Sequence, residues 1–526
     1  MGGRALVVGW DGATWDLLDR LVAEGAMPNL KELCGRSAHS RMDSVVPPVT
    51  GPAWVSVATG VNPGRHGCFD FNRVDPETGT LRPIQTYDIQ VKTFYEVLQE
   101  RGRTAILVNL PVSYPPLTGQ VTLTSLMTVG DNAVFPEPLK DELPDLKAYR
   151  VFPNIKLRSE GKLTEYVRDI RAVEAARMAC VRALLPRPWD CFFVVFSGPD
   201  WVSHEAFPAL MSNGALRDEA LEVFRDLDGY LGELVAALGS EDHLLLVSDH
   251  GFCAVEGVLY LNELLARWGA AQLDYAPGKV AASAQAEVQI KEMEWRGSFP
   301  RWKAKLAPWL FSVPGLCFSF RVFRKFVPIE WPHRFGVDRA KSGFYMPTTA
   351  SRGLHRGGVA KEPEPLRRRL LSLKDPDGRK VLDYVEPREA VYHGEHVPEA
   401  PALLLGSTRW ELEAGVRSLK RRLFARMPLG AHHPEGIFLL HGPAASCGEG
   451  RRPKPILMDV APLIFHLVGE AVPEGLDGAV PQAFLDPAWL SSHPVSYAPA
   501  SAPVRQEGNV EAERIHERLR ALGYME

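Results

Sequence analysis

Five short stretches of this chain carry the side chains able to do chemistry. They are Asp11 in Gly9-Trp10-Asp11-Gly12, Thr50 in Pro47-Pro48-Val49-Thr50-Gly51-Pro52-Ala53-Trp54, the pair Asp200 and His204, the run Ser248-Asp249-His250-Gly251, and His432 in Gly430-Ala431-His432-His433-Pro434-Glu435-Gly436. Asp and His supply the oxygen and nitrogen ligands that zinc or manganese take. Asp200 and His204 are four apart, one turn of a helix, and so lie on one face of it. Thr50 offers a hydroxyl, a weak nucleophile at neutral pH that a bound divalent cation activates. Each stretch alone has an ordinary reading: the Asp-His-Gly run is also what a turn with a hydrogen-bonded histidine looks like, and a Thr before a helix is also a cap. Their joint occurrence argues for a site.

These residues need elements to hold them. Ala5–Val8 is a continuous apolar run, the pattern of a strand buried on both faces, and it ends at Asp11. Similar runs at Thr104–Val108, Cys191–Phe196, Leu244–Val247 and Ile437–Leu440 predict further strands. Helical periodicity predicts helices over Trp15–Glu24, Tyr95–Arg101, Glu165–Leu185 and Arg217–Leu238. Alternation of this kind implies an α/β fold, a three-layer sandwich with a mostly parallel central sheet and helices on both faces. In such sheets ligands bind at the C-terminal ends of the strands, where Asp11, Asp200, His204, Asp249 and His250 fall, while His432 precedes the run Ile437–Leu440. Pro48 and Pro52 exclude Thr50 from a helix interior, and Ala53–Ala58 reads as a short helix, so Thr50 belongs at or next to a helix N-terminus. Free N–H groups there favour an anion.

The bulk numbers narrow the class. The 526 residues suffice for a large core and two or three lobes, and 45% hydrophobic with 24% charged residues is ordinary for a soluble globular protein. A net charge of −4 argues against a nucleic-acid partner. Seven Cys with no CxxC, several in apolar runs, fit buried free thiols in a reducing compartment. Met1-Gly-Gly-Arg runs straight into the first strand, with no signal peptide, and no apolar run approaches the ~18 residues of a membrane span. The expected location is cytoplasmic.

On these motifs the chain resembles the alkaline phosphatase superfamily, in its type I phosphodiesterase/nucleotide pyrophosphatase branch, and is most like the cytoplasmic members described as predicted phosphohydrolases or phosphomutases. The resemblance rests on the five stretches above, on Thr59-Gly60-Val61-Asn62-Pro63-Gly64-Arg65-His66-Gly67, and on Met458-Asp-Val-Ala-Pro462, Asp477-Gly478 and the ending Arg518–Tyr524. It implies two divalent metal ions, zinc or manganese. Asp11, Thr50, Asp249 and His250 would hold one, and Asp200, His204 and His432 the other, with His433 the neighbour that takes no part. It implies attack by Thr50 on phosphorus and a phospho-threonine intermediate in a phosphodiesterase or pyrophosphatase reaction. Phosphomonoesterase or phosphomutase activity, or a non-catalytic protein that keeps the fold for binding, are the alternatives. The family places a phosphate-contacting Asn directly after the Asp of an HGxxDN run. Here the run is His66-Gly-Cys-Phe-Asp-Phe-Asn72, with Phe71 at that position, and Asn72 is the nearest candidate for substrate binding.

The motifs divide the chain into a core over 1–255 with a small insertion at about 83–165, a cap over 256–425 that sets substrate choice, a second core part over 426–490, and a linker with C-terminal helix over 491–526. Asn509–Leu522 has the apolar spacing of that helix, and the Ala/Pro/Ser-rich 486–505 that of the linker. Residues 295–341 hold 10 Lys/Arg against 2 Asp/Glu with 11 Trp/Phe interleaved, among them Trp295, Trp302, Trp309, Phe323, Phe326 and Trp331. That pattern suits either a helical cap packing its aromatics on the core or a surface for peripheral membrane contact or a large anionic substrate. Arg352 and Arg356, in Ser351-Arg-Gly-Leu-His-Arg-Gly-Gly358, are candidate phosphate contacts, or part of a Gly-rich turn. The substrate that the resemblance implies is a small-molecule or a lipid- or glycan-linked phosphate ester.

Overall fold

The computed structural model of the chain describes residues 3–74, 81–128, 132–268, 345–348, 353–356, 363–413, 423–447 and 452–501. Strands β1 (Ala5–Trp10) and β2 (Ala38–Asp43) come first, followed by the pair β3 (Asn72–Val74) and β4 (Leu81–Pro83). Next are β5 (Ala105–Val108), β6 (Val121–Leu123), β7 (Val134–Phe135), β8 (Cys191–Phe196) and β9 (His243–Val247). A second group comprises β10 (Gly251–Tyr260), β11 (Tyr345–Thr348), β12 (Gly353–Arg356), β13 (Tyr384–Pro387), β14 (Leu403–Gly406), β15 (Trp410–Glu413) and β16 (Phe424–His433), before β17 (Glu435–His441).

The central sheet runs β2-β17-β9-β1-β8-β5-β6-β7. β9, β1, β8, β5 and β6 are mutually parallel, while β17 runs antiparallel to β9 and β2, and β7 to β6. Successive strand residues point to opposite faces, and the apolar runs show it. Leu6, Val8 and Trp10 pack with Phe192, Val194 and Phe196 against the helices Trp15–Ala23, Leu163–Leu184 and Arg217–Ala236. Ala5 and Val7 pack with Phe193 and Val195 against Thr50–Thr59, Phe94–Glu100 and Val460–Leu467. Two apolar clusters separated by one sheet make the three-layer α/β sandwich.

Within 83–165, expected as an insertion, the strands β5, β6 and β7 join the central sheet. Two expected boundaries also fall inside strands. Residue 256 lies within β10 and residue 425 within β16, which pair antiparallel in a three-stranded sheet β15-β10-β16. A four-stranded sheet β11-β12-β14-β13 lies beyond. Leu259, Leu264, Leu370, Leu405 and Trp410 give this region an apolar cluster of its own. The linker reading of 486–505 is corrected in part, since Pro487–Ser492 is a short helix capped by Asp486 and Tyr497–Ala498 pairs with Val472–Pro473. The basic and aromatic stretch 295–341, Arg352 and the 509–522 helix lie outside the described residues.

Cys34, Cys68, Cys180, Cys191, Cys253 and Cys447 are free thiols, half of them buried. Among the described residues no helix is long and apolar enough to cross a membrane.

Candidate active site

β9, β1 and β8 are neighbours, and the chain leaves each at the same edge of the sheet through an acidic residue. Asp11 follows β1, Asp200 follows β8, and Asp249 with His250 follows β9. All four are fully buried. The turn after β1 passes through Gly12 at φ 69°, where a Cβ would come within 2.7 Å of the Phe252 ring. That conformation turns the Gly12 N–H onto Asp249 Oδ1 at 3.2 Å.

Thr50 is the first residue of the Thr50–Thr59 helix, and the cap position belongs to Val49, which has no side-chain cap. The hydroxyl is therefore not spent on the helix. It lies 3.4 Å from Asp11 Oδ1 and 3.2 Å from His250 Nε2. The first N–H groups of a helix have no intrahelical partner, and Pro52 offers none, so the N–H groups of Thr50 and Gly51 form the positive end beside that hydroxyl.

His204 sits one turn beyond Asp200 on the Gly198–Ser212 helix, with its Nε2 3.4 Å from Asp200 Oδ1. His432 comes from β16, opposite Phe252 of β10 in the ladder, and its Nε2 lies 3.3 Å from the same oxygen and 3.2 Å from His204 Nε2. β16 approaches closely because residue 430 is Gly: a Cβ there would lie 2.2 Å from the Ser203 carbonyl oxygen. His433 points the other way, its Nδ1 accepting the Glu435 N–H. The His250 and His432 rings stack at 3.9 Å, and Phe252 packs edge-on against His204 and His432.

The seven residues thus form two adjoining groups, and His250 reaches both: Asp11, Asp249 and His250 bring ligand atoms together, as do Asp200, His250 and His432. The donor chemistry fits cations. His432 donates Nδ1–H to the Pro48 carbonyl (2.9 Å) and His250 donates Nδ1–H to the Gly251 carbonyl (3.1 Å). Each ring thereby turns its Nε2 inward, the nitrogen that binds a metal once it is deprotonated. Asp249 Oδ2 is buried and accepts no hydrogen bond among the described residues. Burial and the nearby Asp249 and Asp200 charges raise the Asp11 carboxyl well above its usual range. Burial, with the Asp200 charge adding to it, pushes Asp249 up to about 8. Burial would raise Asp200 as well, yet His204 and His432 hold it well below the usual carboxylate range. Burial lowers His250. Three buried carboxylates repelling one another are what bound divalent cations would relieve. His204 and His432 keep 19% and 10% of their side chains exposed, so the site opens on their side.

Asn72 begins β3, next to the Asp70-Phe71 segment that packs on Gly51. Arg356 lies in β12, paired with Tyr345, and Arg352 is outside the described residues. Two groups escaped the sequence reading. Trp54 donates Nε1–H to Asp11 Oδ2 at 3.2 Å, and its spacing of four from Thr50 was the available signal. The Tyr392 hydroxyl donates to the Val46 carbonyl at 2.5 Å, bracing the segment that leads into Thr50, and nothing local in sequence points to it.

A family model described as type I phosphodiesterase / nucleotide pyrophosphatase matches residues 5–300, a span holding every candidate ligand except His432. No curated protein matches the chain at a significant level. Among solved structures, phosphonoacetate hydrolase from Sinorhizobium meliloti 1021 in complex with phosphonoformate is similar at 18% identity and TM-score 0.56, over 89% of this chain and 95% of that one. Murine ectonucleotide pyrophosphatase / phosphodiesterase 5, as an inactive variant in complex with AMP, is similar at 15% identity and TM-score 0.51, over 92% of this chain and 100% of that one. These likenesses establish a shared fold.

Proposed function

Because the chain belongs to the type I phosphodiesterase / nucleotide pyrophosphatase branch of the alkaline phosphatase superfamily, we propose that it cleaves phosphoric diesters or pyrophosphates with Thr50 as nucleophile and two divalent cations, zinc or manganese, as cofactors. That it is a phosphoester hydrolase follows from the family. The observation that carries the finer reading is the Thr50 hydroxyl at a helix N-terminus, within 3.4 Å of both Asp11 and His250.

Asp11, Thr50, Asp249 and His250 would hold one cation, and Asp200, His204 and His432 the other. Such ions supply positive charge against the attacking and leaving oxygens and make the threonine hydroxyl easier to deprotonate. The chain's own groups do the rest. The Thr50 and Gly51 N–H groups orient a phosphoryl oxygen at the helix N-terminus. Thr50 Oγ1 forms a bond to phosphorus as the ester P–O bond opposite it breaks, and the leaving oxygen takes up a proton equivalent to the one Thr50 gives up. Water then attacks the phospho-threonine, the Oγ1–P bond breaks, and Thr50 regains its proton. Asn72, Arg352 and Arg356 are assigned to substrate binding, and the region between β10 and β16 to the cap that selects the ester.

The deciding experiment strips the protein of metal, restores zinc or manganese, and compares turnover of bis-p-nitrophenyl phosphate with that of p-nitrophenyl phosphate. Faster diester turnover is expected. A preference for the monoester overturns the diester reading, and no turnover of either by metal-loaded protein overturns hydrolysis at this site.

A further inference from the structure

We infer that Trp54 is a positioning residue for the candidate metal site, holding one oxygen of Asp11 so that only the other faces the cations and Thr50. The inference rests on the two-cation reading above.

Trp54 is fully buried and its Nε1–H donates to Asp11 Oδ2 at 3.2 Å. The other oxygen, Oδ1, lies 3.4 Å from Thr50 Oγ1 and 3.7 Å from His250 Nε2. An indole has one N–H and no acceptor, so it can only donate to this carboxylate. Trp54 and Thr50 are four apart on one helix, so indole and hydroxyl share a face and address the two oxygens of one carboxylate from a single rigid element. The ring itself cannot turn away. Phe193 packs edge-on at 5.9 Å, and β1 is so close that a Cβ at Gly9 would lie 2.5 Å from the ring. Without the donor, the carboxylate is free to rotate about its Cβ–Cγ bond and offer either oxygen or both. Groups that orient a metal-binding carboxylate are typically worth 10–100-fold in metal affinity or activity.

A tryptophan that merely fills the core would matter for stability alone, so the test separates the two. Trp54→Phe keeps an aromatic ring and deletes the donor. Val57→Ala, in the same helix and the same apolar cluster, removes core volume without touching a polar group near Asp11. Zinc affinity is measured by competition with a chromogenic chelator, alongside urea denaturation. Trp54→Phe should weaken one of two zinc sites by about 10–100-fold, while Val57→Ala loses stability and keeps both affinities. Two sites of wild-type affinity in Trp54→Phe overturn this inference and leave the two-cation reading standing. A wild-type protein that binds no zinc or manganese overturns both. Should Trp54→Phe not fold, benzothienylalanine at position 54 preserves the ring shape without the N–H, and the same loss or its absence decides.

Discussion

Thr50 Oγ1 lies 3.2 Å from Nε2 of His250, a residue 200 positions further along the chain. The contact joins the N-terminus of a helix on one face of the sheet to the end of β9, and Val49 rather than Thr50 occupies the cap position. The hydroxyl is thus available for chemistry. Thr50→Ala should lower turnover by more than about 1,000-fold, as removal of a nucleophile does, while costing less stability than the ~1 kcal/mol of a lost cap. Thr50→Ser should keep measurable activity. Steady-state rates beside urea midpoints measure both, and an acid-trapped phosphopeptide containing Thr50 would identify the intermediate. A folded Ala variant with near wild-type turnover would refute the assignment.

Two groups of ligands should bind about two divalent ions per chain, and elemental analysis after re-addition to stripped protein counts them. Because the ions bind only the folded chain, each should add ~2.7 kcal/mol of stability at a hundred times its Kd. One ion or none at saturation speaks against the paired arrangement.

His66 should make the fold sensitive to acid. Its Nδ1 accepts the Cys68 N–H at 3.1 Å and its Nε2–H donates to Ser56 Oγ at 2.9 Å, so the buried ring is neutral, and burial lowers its pKa to about 3. Unfolded, the ring takes up its proton near pH 6.5. The stabilisation from keeping it neutral is therefore complete above that pH and is lost as pH falls toward 3, by an amount on the order of a few kcal/mol. Urea midpoints from pH 7 to pH 4 should fall more steeply for wild type than for His66→Gln. Parallel curves would show that another group dominates.

Tyr392 braces the strand of chain that delivers Thr50, with its ring against Phe69 at 5.3 Å and its hydroxyl on the Val46 carbonyl. Tyr392→Phe leaves that carbonyl without its donor, which should cost about 1 kcal/mol in stability. If the brace also aligns Thr50, kcat should drop while KM for a small ester stays level. An unchanged kcat would reduce the contact to packing.

Arg356 lies in the four-stranded sheet assigned to the cap. Arg356→Ala should raise KM for the natural ester more than it lowers kcat on a small model ester. Equal losses on both would count against a role in substrate recognition.

Much of this site was legible in the sequence because its determinants are local. An apolar run followed by Asp gives a buried strand with a carboxylate at its end, as at Ala5–Asp11. A spacing of four puts Asp200 and His204 on one helical face, and prolines around Thr50 force it to a helix start. The motif-based family resemblance is carried by the same residues. Other features depend on pairings between distant segments, which no local pattern encodes. Strand order decides that β9, β1 and β8 lie side by side, so that Asp249, Asp11 and Asp200 converge. The β10–β16 register, together with the alternation of strand side chains, turns His432 inward and His433 away. Packing across the sheet sets Trp54 on Asp11 and Tyr392 on Val46, and it draws β5, β6 and β7 into the central sheet where the motif pattern had suggested an insertion. Residue types and short spacings determine which chemistry is available; only the burial of complementary faces against one another determines which of those groups meet.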